Sequence, residues 1–158
     1  MTAFRFALLL FFLFACSLAL AESAPTFALP TNSDTVALDS LRGQVLYLDF
    51  WASWCEPCRK SFPWMEKLRI KYADQGLTVI AINLDPARKN ADKFLAKQDV
   101  GFTIAFDPKG EIAKAYQVKG MPSSFLINRA GDIVFSRIGF KETETDGIEK
   151  QIMELLAQ

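Results

Sequence analysis

Apolar runs and their periodicity divide the chain into strands and helices. Residues 44–51 and 77–84 are almost continuously apolar and rich in β-branched or aromatic residues, which is typical of strands buried on both faces of a sheet. Residues 123–127 and 132–136 form two shorter runs, and the turn-forming set Asn128-Arg129-Ala130-Gly131 between them predicts a hairpin.

Helices are predicted where apolar residues recur every three or four positions. Phe62, Met65, Leu68 and Tyr72 mark a helix over residues 55–72, and Ile148, Ile152 and Leu155 mark another over 145–156. Shorter helices are predicted at residues 90–98 and 110–116. The order of elements predicts an α/β fold with a central mixed sheet, helices on both faces, and parallel pairing before antiparallel pairing.

The segment before the first long strand has little periodicity. Residues 22–34 contain Pro25 and Pro30 and are predicted to be an extended lead-in, followed by a short edge strand at 35–38. With 158 residues, 51% of them apolar, the chain is sized for one domain with one core. We therefore expect a single domain over residues 22–158.

The first 21 residues have the pattern of a signal peptide. Arg5 supplies the positive charge, residues 6–21 are apolar except for Ser17, and Ala19-Leu20-Ala21 offers a small-x-small cleavage site. The 16 apolar residues are fewer than the roughly 20 that a spanning helix needs. Two alternatives stay open, an uncleaved membrane anchor and lipidation of Cys16.

Charge and histidine content exclude several functions. Lys plus Arg and Asp plus Glu number 18 each, so there is no overall basic field to hold nucleic acid or an anionic membrane. Proteins or small molecules are the expected partners. Because the chain has no histidine, Ser-His and Cys-His catalytic pairs are excluded, and chemistry must use cysteine, carboxylate, lysine or tyrosine.

Cys55 and Cys58 are the strongest candidates for chemistry. They are separated by two residues and lie at the predicted start of a helix, directly after a buried strand. The free N–H groups and partial positive charge of a helix N-terminus stabilise a thiolate, which makes Cys55 the expected nucleophile. Cys58, one turn further on, can resolve a mixed disulfide on Cys55. Pro57 suits the first helical turn, where its missing N–H loses no hydrogen bond.

A permanent structural disulfide and a zinc half-site are the alternatives to a redox pair. A disulfide that closes so short a loop stabilises a fold less than one that closes a long loop. Zinc normally requires four ligands, and the chain has neither histidine nor a second cysteine pair. The strand and helix context favours redox chemistry, and we expect no metal or cofactor.

Other residues near the pair are candidates for supporting roles. Asp49 lies within an apolar strand, where burial raises the pKa of a carboxyl group, and it is a candidate base for Cys58. The alternative is a solvated or lysine-paired Asp49. Trp54 flanks the cysteines and could rim a binding surface, whereas Trp51 is expected in the core. Glu56 is expected to be exposed, with its negative charge beside the thiolate.

Three segments, together with Pro63, carry a resemblance to a known family. The segments are Leu41-Arg42-Gly43-Gln44, then Phe50-Trp51-Ala52-Ser53-Trp54-Cys55-Glu56-Pro57-Cys58-Arg59-Lys60, and Gly120-Met121-Pro122-Ser123-Ser124-Phe125-Leu126-Ile127-Asn128. They resemble the thioredoxin superfamily, most closely its exported TlpA/ResA-type branch of membrane-linked thiol–disulfide reductases.

The resemblance implies a thioredoxin fold and a role for each matching residue. Cys55 is similar to the attacking thiol, Cys58 to the resolving thiol, and Met121 to the residue whose backbone pairs with substrate. Pro122 matches a cis-proline opposite the cysteines, although for an X–Pro bond in general the trans form is far commoner, with about 5–6% cis.

The chain departs from the branch at two positions. Branch members often carry an acidic residue three positions after the second cysteine, where this chain has Ser61. Asp49 instead matches the buried aspartate of ordinary thioredoxins. This pair of differences weakens the link to cytochrome c maturation, a task of part of the branch.

The resemblance and the export signal together predict a periplasmic protein-disulfide reductase. Glu56 disfavours the thiolate form, which predicts a reductant, and a reductant in an oxidising compartment needs a membrane electron-donor protein. Two other functions are kept. Residues 77–120 also resemble peroxiredoxins, although the Pro-x-x-x-Thr stretch of those enzymes is absent. The other alternative is a non-catalytic binding or chaperone module.

Overall fold

A computed structural model describes residues 22–158 of the chain. The predicted signal peptide, its alternative as a membrane anchor, and the lipidation site at Cys16 lie outside the described residues. Within the described part, no helix is both long enough and apolar enough to cross a membrane.

The core of the fold is a six-stranded mixed sheet in the order β1-β8-β7-β4-β5-β6. Strands β4, β5 and β6 are parallel, and β7 is antiparallel to both β4 and β8. A separate two-stranded ribbon is formed by β2 and β3. The strands are β1 (Glu22–Ser23), β2 (Ala28–Pro30), β3 (Thr35–Ala37), β4 (Val45–Trp51), β5 (Leu77–Asn83), β6 (Thr103–Phe106), β7 (Ser123–Ile127) and β8 (Asp132–Ile138).

Within residues 22–158, four α-helices connect or follow these strands: α1 (Glu56–Tyr72), α2 (Arg88–Leu95), α3 (Glu111–Ala115) and α4 (Thr145–Leu156). Short 3-10 turns lie at Leu38–Leu41, Ala73–Gln75 and Glu142–Glu144. One sheet face packs against α1, α2 and α4, and the other packs against α3 and the N-terminal segment with its ribbon. The prediction of a mixed sheet with helices on both faces is confirmed.

Strand β4 lies in the middle of the sheet and is buried along its whole length. Because successive side chains of a strand point to opposite faces, Tyr47, Asp49 and Trp51 share the face covered by α1. Leu46, Leu48 and Phe50 pack on the opposite face. The strand therefore ends directly before the cysteines with Asp49 on the same side of the sheet as α1.

Several element boundaries differ from the sequence prediction. β6 was not predicted, because four residues at the edge of the sheet give too short a run to stand out. Helix α2 begins at Arg88 and ends at Leu95, two to three residues earlier than predicted. The lead-in at residues 22–34 contains β1, which pairs with β8, and β2, which pairs with β3. The predicted edge strand at 35–38 is β3, and it belongs to the ribbon rather than to the main sheet.

Candidate active site

The two cysteines lie at the N-terminus of α1, which a loop of three residues, 52–54, connects to β4. Cys55 is the residue that caps the helix, and its sulfur accepts a hydrogen bond from the Cys58 backbone N–H at 3.3 Å. Glu56 and Pro57 are the first two helical residues, so the missing N–H of Pro57 falls where no intrahelical bond is lost. The predicted helix start is therefore confirmed to within one residue.

Cys55 and Cys58 form a disulfide, with Sγ atoms 2.02 Å apart. Cys58 has no exposed surface, while Cys55 is 5% exposed. Both pack in the hydrophobic cluster that also holds Phe62 and Trp51. Cys55 thus keeps a small surface in contact with solvent, whereas Cys58 is covered by the protein.

The loop that leads into Cys55 is held by a buried carboxylate. Asp85, only 2% exposed, accepts hydrogen bonds from both the backbone N–H and the hydroxyl of Ser53, each at 2.8 Å. It also accepts one from the Asn83 side-chain amide at 2.7 Å. Because Asp85 lies two residues after the end of β5, these bonds connect the cysteine loop to the end of the neighbouring strand.

Met121 and Pro122 lie at the same end of the sheet as the cysteines. Their peptide bond is cis. Phe50 is paired with Ser123, so the antiparallel register carries Pro122 alongside Trp51 at the end of β4. The loop is fixed by the Ser123 hydroxyl, which donates to the Gly120 carbonyl at 2.7 Å.

Met121 is half-buried and packs against the cluster that contains both cysteines. The structure therefore brings together Cys55, Cys58 and the Met121–Pro122 segment, three parts of the chain that the sequence analysis had singled out separately.

Asp49 is completely buried and lies in a row of polar residues across three strands. It is directly opposite Ser124 on β7, which is directly opposite Arg137 on β8. The Ser124 hydroxyl donates to Asp49 Oδ1 at 2.6 Å, while Oδ2 is buried without a hydrogen-bond partner among the described residues. Arg137, with a side chain 10% exposed, forms an ion pair with Glu144 at 3.0 Å.

Burial raises the pKa of Asp49 to about 7, since desolvation penalises its charged form. The hydrogen bond from Ser124 and the positive charge of Arg137 act in the opposite direction and keep the rise from being larger. The alternative of a solvated or lysine-paired Asp49 is wrong, because its side chain has no exposed surface and bonds to a serine. A carboxyl group with this pKa can both accept and return a proton near neutral pH.

The remaining predicted site residues differ in exposure. Trp54 is 68% exposed and stands beside the cysteines, while Trp51 is fully buried, as expected for each. Glu56 is exposed, but the amino group of Lys60 lies 3.1 Å from its carboxylate. Its negative charge beside Cys55 is therefore partly balanced, although an exposed ion pair of this kind is weak.

Ser61 occupies the position where the TlpA/ResA-type branch often has an acidic residue. It is buried and donates its hydroxyl to the Cys58 carbonyl at 2.8 Å. No carboxylate can act from this position, whereas Asp49 is a buried acid on the α1 side of the sheet.

Sequence reasoning missed Ser124, Arg137 and Asp85. Ser124 bonds to Asp49 and the charge of Arg137 acts on it through the register of strands that are distant in sequence, and no local pattern reports this. For Asp85, a polar residue just after the apolar run 77–84 is a usable signal. Within residues 22–158, no group of three or more cysteine and carboxylate side chains is placed to hold a metal ion.

Residues 20–136 match the AhpC/TSA family. Among characterised relatives, the thiol–disulfide oxidoreductase ResA of Bacillus subtilis is 34% identical over 114 residues, which cover 72% of this chain and 64% of that protein. ResA of Bacillus thuringiensis subsp. konkukian is 32% identical over 136 residues, covering 85% of this chain and 75% of the relative. The chain thus spans less than two thirds of the Bacillus subtilis relative's length.

Solved structures agree with these relatives. A Chlorobium tepidum protein, provisionally described as a thiol:disulfide interchange protein DsbE, is 48% identical with a TM-score of 0.84, covering 86% of this chain and 96% of its own. A Bacteroides thetaiotaomicron protein, provisionally described as a protein disulfide isomerase, is 32% identical with a TM-score of 0.80, covering 87% and 90%. The predicted thioredoxin fold is confirmed. The chain therefore belongs to the AhpC/TSA family and, within it, to the ResA-like thiol–disulfide oxidoreductases of thioredoxin fold.

Proposed function

We propose that this protein is a periplasmic thiol–disulfide oxidoreductase that reduces disulfides in other proteins through Cys55 and Cys58. The observation that carries the proposal is the asymmetric pair at the start of α1, in which Cys55 keeps a small exposed surface and Cys58 has none. A structural disulfide requires no such difference in access.

The proposed reaction has two exchange steps. The Cys55 thiolate attacks one sulfur of the substrate disulfide, forms a mixed disulfide and releases the other substrate sulfur as a thiolate. Cys58 then attacks Cys55, which closes the protein disulfide and releases the second substrate thiol. Two electrons and two protons pass to the substrate, and the protein ends in the oxidised state.

Asp49 is proposed as the base for the second step. Cys58 is buried, so its proton needs an acceptor inside the protein. Asp49 faces the α1 side of the sheet, has one free carboxylate oxygen among the described contacts, and has a pKa of about 7. Ser124 and Arg137 are proposed to hold its geometry and limit the rise of its pKa.

Substrate contact is proposed for the surface around Cys55. The exposed ring of Trp54 and the Glu56-Pro57 turn form its rim, and Met121 provides backbone groups beside the cysteines. A peptide that lies along Met121 would place its sulfur near Cys55. Pro122 is proposed to fix that segment.

The direction of electron flow and the cellular role are further parts of the proposal. Glu56 disfavours a strongly oxidising pair, so we expect a reductant that a membrane electron-donor protein recharges. Part of the branch that this chain resembles serves cytochrome c maturation, and apocytochrome c is accordingly one substrate to test. Export to the periplasm is proposed from the signal-peptide pattern of residues 1–21.

A reduction potential measured against glutathione or a dithiol buffer tests the direction. The proposal expects a value well below about −120 mV, the potential of a strong periplasmic oxidant. A value close to −120 mV would contradict the assignment as a reductant.

Peroxidase activity is the second candidate, because the matching family is AhpC/TSA. The reduced protein is mixed in parallel with a protein disulfide and with hydrogen peroxide. The proposed function expects turnover of the disulfide and little turnover of peroxide. The reverse result would establish the peroxidase, while activity towards neither would favour the binding or chaperone module.

A further inference from the structure

A cavity of about 270 Å³ lies beside the redox pair. Ser53, two residues before Cys55, and Arg59, four residues after it, both line this cavity. Residues four apart on a helix share a face, so Arg59 extends from α1 on the side of its cap, Cys55. We name this feature the basic cavity, lined by Ser53, Arg59, Asn90, Lys93, Phe94 and Lys97.

Three of the six lining residues are cationic, and none of them is neutralised. Arg59, Lys93 and Lys97 are exposed and form no ion pair with any residue among 22–158. The chain as a whole carries equal numbers of basic and acidic residues, so this local excess does not follow from composition.

Nearby carboxylates are engaged elsewhere. Asp85 is buried and accepts hydrogen bonds from Ser53, which lines the cavity, and from Asn83. On α2, Asp92 forms an ion pair with Arg88 at 2.8 Å. The positive charge of the basic cavity is therefore available to a ligand.

The arrangement is unfavourable for the protein alone. Lys93 lies in the last turn of α2 and Lys97 lies two residues past its end, and because both line the same cavity their like charges repel each other. Arg59 adds a third charge from α1. An anionic ligand in the cavity would relieve this repulsion.

We propose that the basic cavity docks an acidic polypeptide segment of the substrate protein, next to the disulfide that Cys55 attacks. The inference rests on the proposed function and names its substrate class. A polypeptide fits better than a small anion, because the cations are long exposed side chains spread over α1, α2 and the turn that follows α2. The exposed ring of Trp54 also extends the surface beyond Cys55.

The test compares two disulfide peptides that differ only in the charges flanking the disulfide, Asp/Glu in one and Lys in the other. Second-order rates of reduction are measured at low salt with the reduced protein. The acidic peptide is expected to react at least about threefold faster, with the difference lost at high salt. In the double variant Lys93→Gln/Lys97→Gln, the acidic peptide should lose most of that advantage.

A matched control is Lys67→Gln/Lys109→Gln, which removes the same charge from two exposed lysines that do not line the cavity. This control should keep the preference for the acidic peptide. Reduction of a small uncharged disulfide should be equal in all three proteins, which shows that the lysine variants leave the cysteine chemistry intact.

The outcomes separate the two levels of the proposal. If no disulfide is reduced, the proposed function fails. If both charged peptides react equally, or the control variant loses the preference as fully as the double variant, the docking inference fails. Binding to anionic phospholipid vesicles that depends on Lys93 and Lys97, without peptide preference, would assign the cavity to a membrane surface and would also overturn it.

Discussion

At the scale of single residues, Asp49 links stability to pH. Its pKa is about 7 in the folded protein, against about 3.9 for an ordinary aspartate. Between these two values the folded state holds a proton that the unfolded state has lost, so stability falls as pH rises through this window and is constant above it.

We therefore predict that Asp49→Asn stabilises the oxidised protein at pH 8 and has little effect at pH 4. A pKa difference of this size corresponds to as much as about 4 kcal/mol in the free energy of unfolding. Denaturant titrations of the natural protein and of the Asp49→Asn variant at a series of pH values measure this difference in the free energy of unfolding. Equal pH dependence in the two proteins would show that Asp49 titrates normally.

Ser124→Ala should change the pH dependence of resolution. The hydroxyl of Ser124 donates to the charged form of Asp49, so its removal raises the pKa of that carboxyl group further. The pH midpoint for closure of the protein disulfide should move upward by about one unit. Stopped-flow tryptophan fluorescence of single-turnover reactions can follow this step.

Ser123→Ala is the matched control for that experiment. Its hydroxyl bonds to the Gly120 carbonyl and not to Asp49, so the pH midpoint should stay where it is in the natural protein. An equal shift in both variants would indicate a general disturbance of β7 and would remove the specific role of Ser124.

Individual residues were predictable from the sequence where their signal was local. Cys55 and Cys58 stood at a fixed spacing after an apolar run, and Asp49 was the charged residue within that run. The effects of Ser124 and Arg137 on Asp49 were not predictable, because these residues are brought into one row with it only through pairing of β4, β7 and β8. Such register is set by packing of the whole sheet.

At the scale of elements, Asp85 positions the loop between β4 and α1. Asp85→Ala would leave the Ser53 and Asn83 donors without their buried acceptor. We predict a loss of about 1–3 kcal/mol in the free energy of unfolding and a slower reaction of Cys55 with disulfides. Denaturation and a disulfide-reduction assay measure the two effects.

Asp107→Ala separates those two effects. Asp107 is also buried and accepts three backbone N–H bonds at the start of α3, on the sheet face opposite to α1. The Asp107→Ala substitution should lower the free energy of unfolding to a similar extent, while the folded variant reduces disulfides at the normal rate. If both variants slow the reaction equally, the loss comes from stability alone.

Elements were predictable in proportion to their length and burial. β4, β5, α1 and α4 have long apolar runs or strong helical periodicity, and their bounds agree with the structure to within about one residue. β6 was missed and α2 was displaced, since a four-residue edge strand and an exposed eight-residue helix bury few side chains. Tertiary contacts fix such elements more than local pattern does.

At the scale of the whole molecule, the direction of electron transfer is coupled to stability. An oxidant has a reduced form that is stabilised relative to its disulfide form, and a reductant has the opposite preference. We predict that the oxidised protein is more stable than the reduced one, by at least about 1 kcal/mol. Denaturant unfolding with and without a reducing agent measures the difference, and a more stable reduced form would argue for an oxidant.

The central claim is that Cys55 attacks and Cys58 resolves. The most direct measurement is mass spectrometry of mixed disulfides formed when Cys58→Ser and Cys55→Ser are each mixed with a disulfide peptide. We predict that Cys58→Ser accumulates a stable adduct on Cys55, and that Cys55→Ser reacts at least about tenfold more slowly, since Cys58 is buried. Equal adduct formation on either cysteine, or none on Cys55, would contradict this account.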